Sequence, residues 1–110
     1  MMDKYAVEIT DEALVDMEGI YNYIANILLA LENALGQYNR IAEAILTLEN
    51  LPELYPIFDG EPKHSWEMRR MVVDNYFVCY MVDPGKVTVT DVLFGASNVH
   101  ARLQERNPES

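Results

Sequence analysis

The side chains best suited to chemistry are two adjacent arginines, Arg69 and Arg70, in the second half of the chain. The pair stands out because the formal net charge of the 110 residues is −10, and guanidinium groups bind phosphate and carboxylate groups well. A structural ion pair between Arg69 and Asp91 is also consistent with the sequence, since long side chains near the end of a sheet reach water. We therefore treat both arginines as candidate functional residues.

Other reactive side chains are isolated. His64 falls in a polar loop and His100 near the end of the chain, and we expect both to be solvated. Cys79 falls in a strand pattern and is interpreted as a core thiol. The sequence contains no Cys/His spacing typical of a metal site, no glycine-rich phosphate loop and no nucleophile elbow. It therefore predicts neither a metal nor another cofactor.

Composition limits the class of protein. The acidic balance disfavours direct, high-affinity binding of nucleic acid, which depends on clustered Lys and Arg. No apolar run approaches the roughly 20 residues of a membrane span, the start of the chain lacks a signal-peptide pattern, and one cysteine excludes an internal disulfide. We expect a single domain over residues 1–110, located in the cytoplasm and not bound to a membrane.

Three strands are predicted between residues 68 and 94. Residues 68–73 are rich in β-branched and apolar side chains, and Asp74-Asn75 is a suitable two-residue turn. Residues 76–82 are apolar at both alternating sets, which is typical of a central strand. A second turn at residues 83–86 precedes a strand over 87–93. The pattern predicts an antiparallel meander.

The first half of the chain predicts one strand and two helices. Residues 4–10 alternate as a half-buried strand, and Thr10 is a helix N-cap. Apolar residues then recur at helical spacing over about five turns, with a break near Glu32-Asn33 and a second helix that ends before Pro52. A short last helix would begin after Ser97 or Asn98. Gly19 lies inside the first helix at a cost of about 1 kcal/mol relative to alanine, without a role that the sequence reveals.

The predicted fold is therefore α+β, in the order β-α-α-β-β-β with a short C-terminal helix or tail. A helical hairpin packs on one face of an antiparallel sheet and leaves the other face partly open. With turns centred on residues 74–75 and 84–85, Phe77 opposes Val92, and Asp91 shares the helix-covered face with Arg69. The open face is predicted to carry Trp66, Met68, Arg70, Val72, Phe77, Cys79, Met81, Thr88, Thr90, Val92 and Phe94.

The chain resembles the RelE/ParE superfamily of small toxins from type II toxin–antitoxin modules, in particular plasmid-stabilisation proteins of the ParE type. The resemblance rests on YAVEIT followed by Asp11-Glu12-Ala13, on AILTLENLPELYP, on WEMRRMVVDNYFVCYMVD and on VTVTDVLFGASN. It covers the chain from Tyr5 to about Asn98 and implies the element order given above. It also implies a cognate antitoxin wound over the toxin, and as activity either ribosome-bound mRNA cleavage or inhibition of DNA gyrase.

The chain departs from the family where a nuclease needs polar groups. Phe77, Met81 and Phe94 stand where relatives often carry arginine, arginine and histidine, and some have arginine in place of Asp91. We therefore expect an apolar binding patch rather than a nuclease groove, and favour a protein that is not an enzyme. The residues predicted to bind a partner are Trp66, Met68, Arg70, Phe77, Met81, Val92 and Phe94.

Three hypotheses remain open from the sequence. The first is a ParE-like toxin that acts by binding a protein such as DNA gyrase and is neutralised by its antitoxin. The second is a RelE-like endoribonuclease with Arg69, Arg70 and Tyr76 as candidate catalytic residues. The third is a non-toxic binding or homodimerisation module of the same fold.

Overall fold

The computed structural model describes residues 4–57 and 68–106 and confirms the predicted α+β element order. A last helix follows the third strand of the meander. The strands are β1 Ala6–Ile9, β2 Met68–Val73, β3 Tyr76–Asp83 and β4 Lys86–Phe94, and the helices are α1 Asp11–Asn22, α2 Leu31–Leu46 and α3 Ala96–Arg106. Trp66 and His64 lie outside the described residues, so their predicted roles are not addressed by the structure.

The four strands form one mixed sheet in the order β1-β4-β3-β2. The predicted antiparallel meander of β2, β3 and β4 is present. β1 lies at the edge and pairs with β4 in parallel, with Val7 opposite Val87, so the sheet as a whole is not antiparallel. Strands joined by short turns must run antiparallel, whereas the long crossover through two helices allows β1 to run parallel.

The first helix begins at its predicted cap but ends earlier than predicted. The Thr10 hydroxyl accepts a hydrogen bond from the Ala13 N–H at 3.1 Å, as expected of an N-cap. After α1 a π-helical turn spans Tyr23–Ile27, and Leu29 then adopts a left-handed backbone with φ of 54°. The predicted break near Glu32-Asn33 is therefore wrong. Leucine is disfavoured in this conformation, and for that reason its position gave no signal of a turn.

The turn between β2 and β3 is anchored to α2. Asp74 has φ of 57°, and its carboxylate accepts hydrogen bonds from Arg40 Nε at 2.8 Å and Gln37 Nε2 at 2.9 Å. These two bonds lower the pKa of Asp74. The contact links α2 to the turn between β2 and β3.

The core lies between the helical hairpin and one face of the sheet. Its buried members come from α1, α2, the following 3₁₀ turn and the three meander strands, and include Ala13, Met17, Ile41, Ile45, Leu48, Met71, Val78, Tyr80, Val87, Val89 and Val92. The hydroxyl of the fully buried Tyr80 donates to the carbonyl of Pro52 at 2.6 Å. Such a partner is required because an unpaired buried hydroxyl costs free energy.

Candidate functional site

A β-bulge in β4 changes which side chains share a face. Cys79 pairs with Asp91 but Tyr80 pairs with Val89, so Thr90 is the extra residue. The side-chain alternation is shifted by one position beyond that point, because the period of a strand is two. The predicted pairing of Phe77 with Val92 is therefore wrong.

The bulge divides the predicted partner-binding residues between the two faces. Phe77 pairs with Leu93, whereas Val92 pairs with Val78 and Phe94 with Tyr76 on the helix-covered face. Met68, Arg70 and Met81 share the open face with Phe77. The predicted single patch is thus two separate surfaces, and the role of each in binding stays a prediction.

The open face combines cationic and apolar groups. The Arg70 guanidinium carbon lies 4.9 Å from the centre of the Phe77 ring, within the distance of a cation–π contact. Met68 and Met81 lie opposite each other on the paired strands and are half-buried. A cation held against an aromatic ring is suited to binding and less suited to proton transfer.

The three candidate catalytic residues do not converge on one site. Arg69 Nη1 donates to the carbonyls of Tyr55 at 2.6 Å and Glu53 at 3.3 Å, so this guanidinium anchors the segment before β2. Tyr76 and Arg69 both lie on the helix-covered face, but Arg69 pairs with Tyr80, four residues further along β3. Arg70 lies on the opposite face. Burial raises the pKa of the Tyr76 hydroxyl, which makes it a poorer proton donor.

Asp91 lies on the sheet face opposite the helical hairpin, in a part of the predicted open face that α3 covers, and it does not pair with Arg69. It is fully buried, and its carboxylate accepts hydrogen bonds from Arg102 Nη1 at 3.0 Å and from the Thr90 hydroxyl at 2.7 Å. The same guanidinium reaches Asp16 at 3.0 Å and Glu12 at 3.3 Å. The Asp16 hydrogen bond is the main cause that raises the pKa of Arg102. The predicted proximity of Asp91 to Arg69 is therefore wrong, and the carboxylate is part of a structural network.

This network joins α3 to α1 across the edge of β4. Besides bonding Arg102, the Asp16 carboxylate accepts a hydrogen bond from the backbone N–H of Val92 at 3.0 Å. This bond pairs a β4 backbone donor that lies beyond the end of β1. Arg102 could not be identified from the sequence, because it lies eleven residues beyond Asp91 and belongs to no motif. α3 starts at Ala96, earlier than predicted, directly after Gly95 with φ of 82°.

An apolar groove separates α1 from the end of β4 and has a volume of about 480 Å³. Phe94 and Tyr76 pack edge to face at its wall, with ring centroids 5.5 Å apart. Phe94, Tyr23 and Val15 are 56%, 54% and 64% exposed, an unusual clustering for a monomer surface. We call this surface the docking groove and define it by Val15, Gly19, Ile20, Tyr23, Tyr76, Val92 and Phe94.

Gly19 borders the open space of the groove. It lies on α1 among the lining residues, and a Cβ added there would meet no atom within 4 Å. The glycine is therefore not required by packing, and a larger side chain would project into the groove. The sequence alone indicates no role for this glycine.

A second groove of about 600 Å³ lies between α1 and α2 and is lined by several polar side chains, including Glu18, Asn22 and Asn39. Among residues 4–57 and 68–106, no group of three or more His, Cys, Asp or Glu side chains is placed to hold a metal ion. In the same part of the chain, no helix is long and apolar enough to cross a membrane.

The fold described above is that of a small α+β protein with a helical hairpin on a mixed sheet, and comparisons with known proteins identify its family. The family model for the ParE toxin of the type II toxin–antitoxin system parDE matches residues 7–99. The chain therefore belongs to the ParE toxin family, as the sequence resemblance predicted. No curated protein matches significantly.

Two solved structures share the fold. One, from the chromosomal ParDE toxin–antitoxin system of P. aeruginosa, has a TM-score of 0.69 at 17% identity. The match covers 84% of this chain and 98% of the P. aeruginosa chain. The other, from the archaeal RelE–RelB complex of Pyrococcus horikoshii OT3, has a TM-score of 0.56 at 17% identity. The match covers 83% of this chain and 94% of the archaeal chain. At these identities the likeness is one of fold.

Proposed function

We propose that this chain is the toxin component of a type II toxin–antitoxin module and acts by binding a protein target. Membership of the ParE family supports the module. The observation that carries the mode of action is that Arg69, Arg70 and Tyr76 do not form a common site. Because these candidates do not converge in the part of the chain that the structure describes, action through a binding surface is favoured.

Hydrolysis of RNA would need two kinds of group in one place. Cations must stabilise the phosphate in the transition state, and a side chain of suitable pKa must move protons. Arg69 is engaged by two backbone carbonyls, and Asp91 by Arg102. On the open face, Phe77 and Met81 stand where the resemblance places arginines in nuclease relatives. These features favour binding over cleavage.

A RelE-like endoribonuclease is the second candidate, and one observation favours it. Arg70 lies on the open face beside Phe77 and is the cation best placed there to contact a phosphate. The archaeal neighbour of similar fold comes from a RelE–RelB complex. Arginine remains protonated and is a poor base, so Arg70 cannot itself transfer the protons that cleavage requires.

The proposed partner that neutralises the chain is a cognate antitoxin. Both structural neighbours come from toxin–antitoxin systems, and the docking groove offers apolar anchor sites for a peptide segment. Tyr23 and Phe94 are about half exposed at the groove, as expected of side chains that become buried on binding. An apolar segment in the groove would cover both rings.

The activity is tested by expressing the chain alone in a bacterial host. We expect growth arrest with altered plasmid supercoiling, the outcome of a gyrase-type protein target, and mRNA 5′ ends that match those of the uninduced control. Codon-register cleavage that disappears in Arg70→Ala and Tyr76→Phe variants would establish the nuclease instead. Growth without arrest would favour the non-toxic binding module.

The docking groove is tested with two variants matched in exposure. Phe94 is 56% exposed in the groove, and Leu51 is 59% exposed after α2, outside both the groove and the open face. Phe94→Asp should weaken co-purification with the antitoxin, taken as the small protein encoded beside this gene, while Leu51→Asp should not. Equal retention of the antitoxin by both variants would contradict this location. Phe77→Asp tests the predicted role of the open face in the same assay.

A further inference from the structure

The groove between α1 and α2 differs in chemistry from the docking groove. We call it the polar groove, and six residues line it: Glu18, Tyr21, Asn22, Leu35, Tyr38 and Asn39. These lining residues, all within the described part of the chain, include one carboxylate and no cation. The proposed function gives this groove no role.

Two tyrosines form a corner of the polar groove. The rings of Tyr21 and Tyr38 pack edge to face, with centroids 6.3 Å apart and ring planes at 89°. Both residues are half-buried, so packing within the hairpin holds the rings while both still line the groove. An aromatic face attracts a cation through its quadrupole, and a flat guanidinium group also stacks on it.

Glu18 gives the polar groove a negative charge that the chain does not neutralise. Across residues 4–57 and 68–106, Glu18 takes part in no ion pair, whereas Glu12 and Asp16 pair with Arg102. Arg40 is the one Lys or Arg between residues 11 and 46, and its guanidinium is bound at the turn between β2 and β3. The groove therefore suits a cationic group and disfavours an anionic one such as a phosphate.

The two grooves lie on adjacent sides of the same turn of α1. Gly19 lines the docking groove, and its neighbour Glu18 lines the polar groove. A Cβ added at Gly19 would meet no atom within 4 Å, and a glycine lets the main chain of a partner approach closely. One segment can therefore cross α1 here and occupy both grooves.

We propose that the polar groove binds an arginine side chain of the antitoxin, carried by the same segment that places apolar anchors in the docking groove. The guanidinium stacks in the tyrosine corner and donates hydrogen bonds to the Glu18 carboxylate. Arginine fits better than lysine because its planar group can stack and donate at the same time. The inference rests on the proposed function, in which an antitoxin occupies the docking groove.

The width of α1 sets the spacing within the antitoxin segment. A helix with its side chains is about 10 Å across, and an extended chain rises about 3.3 Å per residue. About three residues should therefore separate the arginine from the nearest apolar anchor.

Titration calorimetry of the purified full chain with the antitoxin, the small protein encoded beside this gene, tests the contact. We expect Glu18→Gln to weaken binding about three- to fivefold, the upper range for an exposed ion pair. The matched control is Glu105→Gln, which removes the same charge from an exposed residue of α3 outside both grooves and should leave the affinity unchanged. Wild-type affinity in Glu18→Gln, or equal losses in both variants, would overturn the inference.

An arginine scan of the antitoxin identifies the residue that enters the polar groove. Each arginine is replaced in turn by glutamine, and each antitoxin variant is titrated against the wild-type chain and against Glu18→Gln. We expect one replacement after which Glu18→Gln has no further effect, because losses of two side chains in one contact are not additive. Additive losses at every arginine, or a docking segment without arginine, would refute the assignment.

Phe94→Asp in the same titration separates this inference from the proposed function. If Phe94→Asp weakens binding and Glu18→Gln does not, the docking groove stands and the arginine contact fails. If only Glu18→Gln weakens binding, the arginine contact stands and the docking groove is the wrong location for the apolar anchors. A wild-type chain that binds no antitoxin would refute both.

Discussion

At the scale of single residues, the contact of greatest consequence is between Arg102 and Asp91. We predict that Arg102→Ala lowers the free energy of unfolding by about 3 kcal/mol, because a fully buried carboxylate would lose its partner cation. Denaturant unfolding measures the change. The control is Arg40→Ala, since the Arg40–Asp74 pair is exposed on both sides and exposed pairs contribute less than about 1 kcal/mol. Equal losses in both variants would contradict the argument.

Tyr80 makes stability depend on pH in the alkaline range. Burial raises the pKa of its hydroxyl from 10.0 to about 12, so the phenol ionises more readily in the unfolded chain. Its contribution is fully present below pH 10 and is lost as the pH rises toward 12, by up to about 3 kcal/mol. Unfolding measured across this range should show a slope that Tyr80→Phe reduces. An unchanged slope would mean that other groups cause it.

The errors in assigning side chains to the two sheet faces have one physical source. The bulge at Thr90 shifts β4 by one position, which moved Val92 and Phe94 to the helix-covered face and Asp91 to the other. A bulge depends on how two strands meet and leaves no clear mark in a sequence such as KVTVTDVLF. The ion pair of Asp91 with Arg102 depends on where α3 packs, which local spacing cannot show.

At the scale of elements, Gly19 is a position in α1 where a side chain can be added without a clash. We predict that Gly19→Ala raises the free energy of unfolding by about 0.5–1 kcal/mol, because glycine is a poor helix residue and the added Cβ meets open space. Thermal or denaturant unfolding measures the gain. A Gly19→Phe variant should fold as well but fill the docking groove, and thereby weaken binding of the antitoxin. Loss of stability in Gly19→Ala would show that the groove is packed more tightly than the structure indicates.

Elements defined by local chemistry were predicted closely, and those set by long-range pairing were not. Residues 68–73 were predicted as a strand, and β2 spans those residues. Apolar and β-branched side chains favour the strand, and the turn at Asp74 indicates where it ends. Thr10 likewise marks the start of α1. The end of the hairpin at Leu29 and the parallel pairing of β1 depend on tertiary contacts, so neither has a comparable local signal.

At the scale of the whole molecule, charge and apolar surface are segregated. The net charge of −10 contrasts with an apolar docking groove at one side of α1 and an uncharged turn at the end of the hairpin. Arg40, Lys86 and Arg102 each pair with a carboxylate. We therefore expect partners of this chain to bind mainly through apolar contacts while approaching an acidic protein.

This segregation leads to a prediction about the antitoxin. Complementary charge speeds association and rejects wrong partners, whereas like charge opposes it. With an acidic toxin and an apolar groove, we expect the docking segment of the antitoxin to be neutral or basic, with aromatic or aliphatic anchors. Titration calorimetry at low and high salt measures this. A basic segment should bind more weakly as salt increases, because added ions screen the attraction, and a neutral one should change little. A strongly acidic segment that binds tightly at low salt, with little response to added salt, would refute the electrostatic argument and leave the groove itself untouched.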